Sequence, residues 1–172
     1  MLICVHIQYI CTHSKQKGNL GFSATLKEIH KLGHNVFTEI GDNSKIDMIV
    51  EYDSKLVKIQ VKYAKENNGI ARLPIRKSGP NGYRYVYKVS DIDIFSVYLP
   101  DLDKVIFIPA KLACKNKNTF IIRYKESKNL QKSKVHHINE FSDLDRILRD
   151  FTLGICNDDD KVQTTTETVS ES

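Results

Sequence analysis

Three polar side chains in a largely apolar stretch carry the strongest chemical signal in this chain: Asp47, Gln60 and Lys62. The run Leu56–Tyr63 alternates strictly. Val57, Ile59, Val61 and Tyr63 share one face of a strand, and Lys58, Gln60 and Lys62 share the other. In the preceding run Ile46, Met48 and Val50 alternate about Asp47. The two runs are joined by Tyr52-Asp53-Ser54-Lys55, and a two-residue loop at Asp53-Ser54 pairs Tyr52 with Lys55. That register predicts Ile46 opposite Val61, Met48 opposite Ile59 and Val50 opposite Val57, so three apolar pairs fall on one face. It also sets Asp47 opposite Gln60, with Lys62 diagonal to Asp47 on the same exposed polar face. A carboxylate, an amide oxygen and an ammonium so grouped suit phosphodiester hydrolysis. Asp47 is a hard oxygen ligand for Mg²⁺, and the Gln60 amide oxygen and the Val61 backbone carbonyl are further donors. A bound metal acidifies its water and neutralises the scissile phosphate. Lys62 is placed to orient that water or to stabilise the pentavalent transition state. The plainer reading of one Asp and one Lys on paired strands is an exposed ion pair. The surrounding sequence decides between the two.

The elements that must hold these residues are legible in outline. Phe22, Leu26 and Ile29 fall on one helical face between Gly18 and Gly33, with Gly33 placed to end the helix. Strand-like runs follow at residues 35–40, 46–51, 56–63, 70–75, 83–89, 92–99, 104–108 and 119–124. Lys77-Ser78-Gly79-Pro80-Asn81-Gly82 is a strong turn signal. Near the end, Ser142-Asp143-Leu144-Asp145 resembles a capping box, and Leu144, Ile147, Leu148 and Phe151 supply one apolar face of a closing helix. The pattern predicts one α/β domain with a mixed central sheet and flanking helices over residues 15–155. An N-terminal leader of unclear role (1–14) precedes it, and an acidic tail read as disordered (156–172) follows.

Charge narrows the partner. The 172 residues hold 26 Lys and Arg against 21 Asp and Glu, a formal charge of +5, but the tail from Cys156 carries five of the acids and one lysine. Residues 1–155 therefore carry 25 bases and 16 acids, or +9, and a basic body favours an anionic partner, nucleic acid first. Residues 55–88 hold nine bases against one acid, with Tyr83, Tyr85 and Tyr87 among them. Residues 104–134 repeat that imbalance and read equally as phosphate-positioning or as solubilising. Arg72, Arg76, Lys77 and Arg84 flank the Gly-Pro-Asn-Gly turn and are the expected DNA contacts, joined by Lys17 and Lys88. No apolar run approaches the roughly 20 residues needed to cross a bilayer. The start lacks a basic region and a cleavage site, so a secretory signal is not expected. Four scattered cysteines read as free thiols in a reducing compartment, which places the protein in the cytoplasm, nucleoid or nucleus. Cys4-x-His6 and Cys11-x-His13 look like zinc ligands, but no turn former brings the pairs together and their spacing matches no common zinc site.

In order and spacing, these features resemble the PD-(D/E)XK nuclease superfamily, and within it the branch of small homing-type endonucleases associated with group I introns. The resemblance rests on Lys17-Gly18-Asn19-Leu20-Gly21, the helix to Leu32-Gly33, Gly41-Asp42-Asn43, Ile46-Asp47 and Ile59-Gln60-Val61-Lys62. The later strands Asp91–Tyr98 and Val105–Pro109 extend it over residues 15–125. It implies a restriction-endonuclease-like fold and a Mg²⁺-dependent DNA endonuclease, with Mn²⁺ as the alternative ion, acting on double-stranded DNA as a homo-oligomer. Asp47, Gln60 and Lys62 would form the catalytic set, and Asp47, Gln60 and Val61 the metal site. Two positions depart from the family pattern. Ile46 stands where the motif has proline. Phe22 stands where members usually carry a metal-holding glutamate, just after the second glycine. Glu39 and Asp42, one strand away, are the acids placed to compensate. Other readings are a nuclease-derived DNA-binding module without catalysis, favoured by Phe22, and a junction-resolving or repair nuclease.

Overall fold

A computed structural model describes residues 13–41, 44–78, 84–116, 118–124 and 136–155. Residues 1–12 of the expected leader, with the two Cys-x-His pairs apart from His13, and Asp42, Tyr83 and the acidic tail lie outside them; Ser14, the last leader position, instead opens the first helix. The first helix, α1 (Ser14–Lys31), begins four residues before Gly18. It ends as expected: Leu32 is the C-cap and Gly33 follows at φ 80°, the left-handed residue that closes a helix at least cost when it lacks a Cβ. Ile29 is buried on its inner face, with Phe22 and Leu26 packed beside it.

Five strands form the central sheet: β1 (Val36–Thr38), β2 (Met48–Tyr52), β3 (Lys55–Tyr63), β8 (Ile94–Leu99) and β9 (Lys104–Pro109), in spatial order β1-β2-β3-β8-β9. β3 and β8 run parallel and the other neighbours antiparallel, so the sheet is mixed. A four-stranded second sheet has the order β11-β10-β5-β4, built from β4 (Glu66–Asn67), β5 (Ile70–Pro74), β10 (Thr119–Arg123) and β11 (His136–His137). A separate hairpin pairs β6 (Arg76–Ser78) with β7 (Arg84–Val86). The runs 70–75, 83–89 and 92–99 thus yield strands shorter than their apolar pattern extends. Among the described residues, no helix is long and apolar enough to cross a membrane.

The central sheet separates two cores. A short helix, α2 (Ala110–Ala113), follows β9, and one face of the sheet packs Met48, Val50, Val57, Ile59, Ile94 and Phe107 against Ile29 of α1 and against Leu144, Ile147 and Leu148 of α3 (Leu144–Thr152). The other packs Phe95, Val97, Ile106 and Ile108 against Ala71 and Leu73 of β5, Phe120 and Ile122 of β10, and Tyr87. One buried hydrogen bond, 2.6 Å between the Thr25 and Ser96 hydroxyls, ties α1 to β8 and leaves neither group unpaired.

Two details at the ends of elements differ from the sequence reading. The N-cap of α3 is Asp143, whose carboxylate accepts the Arg146 N–H at 3.0 Å. Ser142 instead ends the preceding 3₁₀ turn and donates to the Ile138 carbonyl at 2.9 Å. Phe151, expected on the apolar face, is exposed at the helix end, and Thr152 takes the buried position.

Candidate active site

The β2–β3 hairpin has the predicted register. Tyr52 pairs with Lys55, Val50 with Val57 and Met48 with Ile59. Asp53 and Ser54 both have positive φ (48° and 59°), the two-residue turn whose twist matches that of the strands. The ladder ends at Met48. Asp47 lies in a bend, and its N–H donates to the Ile59 carbonyl at 2.9 Å. The expected pair Ile46–Val61 therefore does not form. Ile46 packs into the core beneath the second sheet, whereas Met48 and Val61 belong to the helix-side core. Extrapolating strand alternation through a bend misplaces every residue beyond it.

The bend brings Asp47 to the predicted neighbours. Its Oδ2 accepts the Val61 backbone N–H at 2.6 Å and the Gln60 side-chain amide N–H. The amide is turned so that Nε2 faces Asp47 and the Val61 carbonyl (3.2 Å), while Oε1 accepts a hydrogen bond from the Tyr87 hydroxyl at 2.9 Å. Lys62 Nζ donates to that same hydroxyl at 3.4 Å and lies 4.6 Å from the Tyr87 ring centroid.

This face of β3 is not the exposed surface that the alternation implied. Gln60 is only 7% exposed and Lys62 is half-buried, because Tyr87, just beyond β7, covers them. Burial lowers the Lys62 ammonium to a pKa of about 8; the Asp47 charge works against that shift and the Lys77 charge adds to it. Burial, with Asp47, Asp91 and Tyr85 nearby, raises the Tyr87 phenol well above its ordinary range, so the hydroxyl stays protonated.

The loop that carries Asp47 is fastened to the same hairpin. Lys45 donates to the Tyr85 hydroxyl (2.7 Å) and to Asp91 (2.9 Å), with its ammonium 3.8 Å from the Tyr85 ring centroid. Lys77 donates to the Ser44 carbonyl at 3.1 Å. Burial alone would raise Asp91, but bonds from Tyr85, Lys45 and the Lys88 N–H outweigh it and hold the carboxylate below its usual range. On the other side of β3, α1 comes close enough that a Cβ on Gly21 would lie 3.4 Å from Val61 and 3.5 Å from the Lys62 carbonyl. The second glycine of the opening motif thus sets the helix directly against the lysine strand. Phe22, next to it, packs into the helix-side core and offers no oxygen.

The remaining sequence candidates are dispersed. Glu39 follows β1, exposed, and its carboxylate accepts the Ser44 N–H at 3.1 Å. Lys17 is half-buried on α1, 5.9 Å from the Tyr63 ring centroid. Arg72 is exposed on β5, Arg76 bonds Asn118, and Lys88 is exposed after β7. Arg84 lies on β7. The sequence reading missed Tyr87, Tyr85 and Asp91 as neighbours of the site. Their only signal was the tyrosine alternation within a basic run.

A mixed sheet flanked by helices, with Asp47, Gln60 and Lys62 gathered at one hairpin, defines a nuclease-like fold. The chain belongs to the PD-(D/E)XK endonuclease family, whose model matches residues 12–144. Among solved structures it is similar to a bacterial homing endonuclease, I-Ssp6803I, at 19% identity and a TM-score of 0.64, covering 82% of this chain and 95% of that one. A weaker likeness, TM-score 0.44 at 18% identity, is to Hjc, a Holliday junction resolvase from Archaeoglobus fulgidus, over 62% of this chain and 84% of that one. No curated protein sequence matches.

Nucleases of this family typically use divalent metal ions. Among the described residues, no three His, Cys, Asp or Glu side chains converge on a metal position. The donors present are nevertheless hard oxygens: the Asp47 carboxylate and the Val61 carbonyl. They fit an ion such as Mg²⁺, which keeps several waters and is commonly held by one or two carboxylates plus substrate phosphates.

Proposed function

We propose that this protein is a Mg²⁺-dependent, site-specific endonuclease of homing type that hydrolyses phosphodiester bonds of double-stranded DNA, with Mn²⁺ able to replace Mg²⁺ and two or more copies acting together. The observation that carries this reading is the clustering, at the end of one hairpin, of Asp47 with the Val61 backbone and a half-buried Lys62, the Gln60 Nε2 being bonded to both the Asp47 carboxylate and the Val61 carbonyl. Asp47 and Val61 would hold the metal, with Gln60 as a further site residue. A bound divalent ion supplies an acidified water and charge neutralisation at the phosphate. Lys62, with its pKa near 8, is charged at neutral pH and offers its proton and charge to the oxygens of the reacting phosphate. Lys17, Arg72, Arg76, Lys77, Arg84 and Lys88 would bind the DNA backbone. The family match supports nuclease activity, the homing type follows the motif resemblance, and the basic runs support the substrate.

Phe22 favours a second reading, a DNA-binding module that no longer cuts, because α1 presents an apolar side chain where the family usually supplies an acid. One experiment separates the two. Supercoiled, linear and four-way-junction DNA are incubated with the protein in Mg²⁺, Mn²⁺ or EDTA. The nuclease reading expects metal-dependent cutting that is lost in Asp47→Ala and Lys62→Ala. Binding without cutting under every condition establishes the second reading, and a preference for the junction redirects the substrate.

A further inference from the structure

The hydrogen bonds within the site point to a residue that the family motif does not contain. Gln60 has two chemically different ends, and their assignment matters because Nε2 donates while Oε1 accepts. Next to the Asp47 carboxylate and the Val61 carbonyl the donating end is favourable and the accepting end is repelled, but these contacts hold the Nε2 end alone. The contact at the other end comes from Tyr87, 27 residues further along the chain, whose hydroxyl donates to Oε1 at 2.9 Å. That hydroxyl also accepts from Lys62 Nζ at 3.4 Å. It therefore bridges Gln60 and Lys62 with its one proton and one lone pair.

Tyr87 is itself fixed. It is 2% exposed, its backbone N–H donates to the Ile75 carbonyl at 3.3 Å, and its ring meets Phe95 and Tyr85 edge-on, with centroids 5.5 and 5.9 Å apart. We infer that Tyr87 is a positioning residue of this nuclease: its hydroxyl locks the Gln60 amide with Nε2 on Asp47 and holds the Lys62 ammonium over its ring, so that the carboxylate and the lysine meet the phosphate in one fixed geometry. The inference rests on the nuclease reading of Asp47 and Lys62. It gives the residue just beyond β7 a task in the reaction separate from DNA contact.

The test is Tyr87→Phe in the full chain, which keeps the ring, its packing and its cover over Lys62 and removes only the hydroxyl. Cleavage is measured as kcat and KM on the DNA that wild type cuts. In parallel, ¹⁵N NMR follows the Gln60 side-chain NH₂, assigned with Gln60→Asn. The expected result is a kcat roughly 10–100-fold lower, with KM and the melting temperature close to wild type. The Gln60 NH₂ resonances should also move and exchange faster with solvent. Wild-type kcat in Tyr87→Phe, or unchanged Gln60 NH₂ signals, overturns the assignment while leaving the nuclease reading intact. If wild type cuts no DNA, that reading fails by itself, and the NMR comparison alone decides whether Tyr87 holds Gln60.

Discussion

β3 divides the molecule into two unlike halves. On its helix side, Val57 and Ile59 enter a core closed by Ile29 and by Leu144, Ile147 and Leu148. On its hairpin side, Gln60 and Lys62 meet Tyr87 and an apolar core beneath the second sheet. The helix side is held by dispersion and removal from water, which tolerate volume-conserving change and need no partner. The hairpin side buries polar groups that are favourable only when each finds its counterpart. One strand can serve both because successive side chains point to opposite faces. Stability and chemistry thus lie about one residue apart in sequence and on opposite faces of the sheet.

That division is open to direct attack. The largest effect is expected on the hairpin side from Asp47→Asn. It keeps an oxygen to accept the Val61 N–H but removes the carboxylate of the proposed metal site. DNA cutting should fall by roughly 10³-fold or more, equivalent to about 4 kcal/mol of barrier, while the melting temperature changes little. A melting temperature that collapses with the activity would mean the two faces are not separable.

Next in size is Ile59→Ala on the helix side. Ile59 is fully buried, and truncation there should cost about 2–5 kcal/mol in chemical denaturation. DNA cutting well below the unfolding transition should remain near wild type. A loss of rate without a loss of stability would show that the helix side also tunes the site.

Lys62→Met sharpens the contrast because it should uncouple the two properties. Burial holds the folded ammonium near pKa 8 against an ordinary 10.5. Between those values the unfolded chain binds more protons, so wild-type stability rises with pH there. Below pH 8 the full cost of burying the charge is present. Lys62→Met should therefore unfold later than wild type at pH 7, by about 1–3 kcal/mol, and this advantage should shrink as pH rises from 8 towards 10.5, while cutting is lost throughout. Equal stabilities at pH 7 would mean that Tyr87 and Asp47 fully compensate the buried charge.

The smallest expected effect is Gly33→Ala at the end of α1. At φ 80° a Cβ is strained, which should cost about 1 kcal/mol of stability and leave DNA cutting unchanged.

Much of this was legible beforehand because it depends on local rules. The β2–β3 register followed from a two-residue turn and a period of two, and Met48, Val50, Val57 and Ile59 lie where that period puts them. Gly33 announced the end of α1 for the same kind of reason, since a left-handed residue is needed at that one point. The misreadings occur where a local rule meets a break in the chain. Ile46 changed cores because the chain bends at Asp47. The α3 cap moved from Ser142 to Asp143 because a 3₁₀ turn had already claimed the serine.

The sequence alone determined the residues available for chemistry, the strand that presents them and the basic character of the body. These follow from side-chain type, alternation and charge, which need no knowledge of distant neighbours. Only the tertiary structure decided that the polar face of β3 is covered, that Lys62 is held near pKa 8, and that Tyr87 stands between Gln60 and Lys62. Those outcomes depend on how the β6–β7 hairpin packs back onto a strand many residues earlier. Burial and hydrogen-bond pairing across such a separation are properties of the packed chain, and no local pattern encodes them.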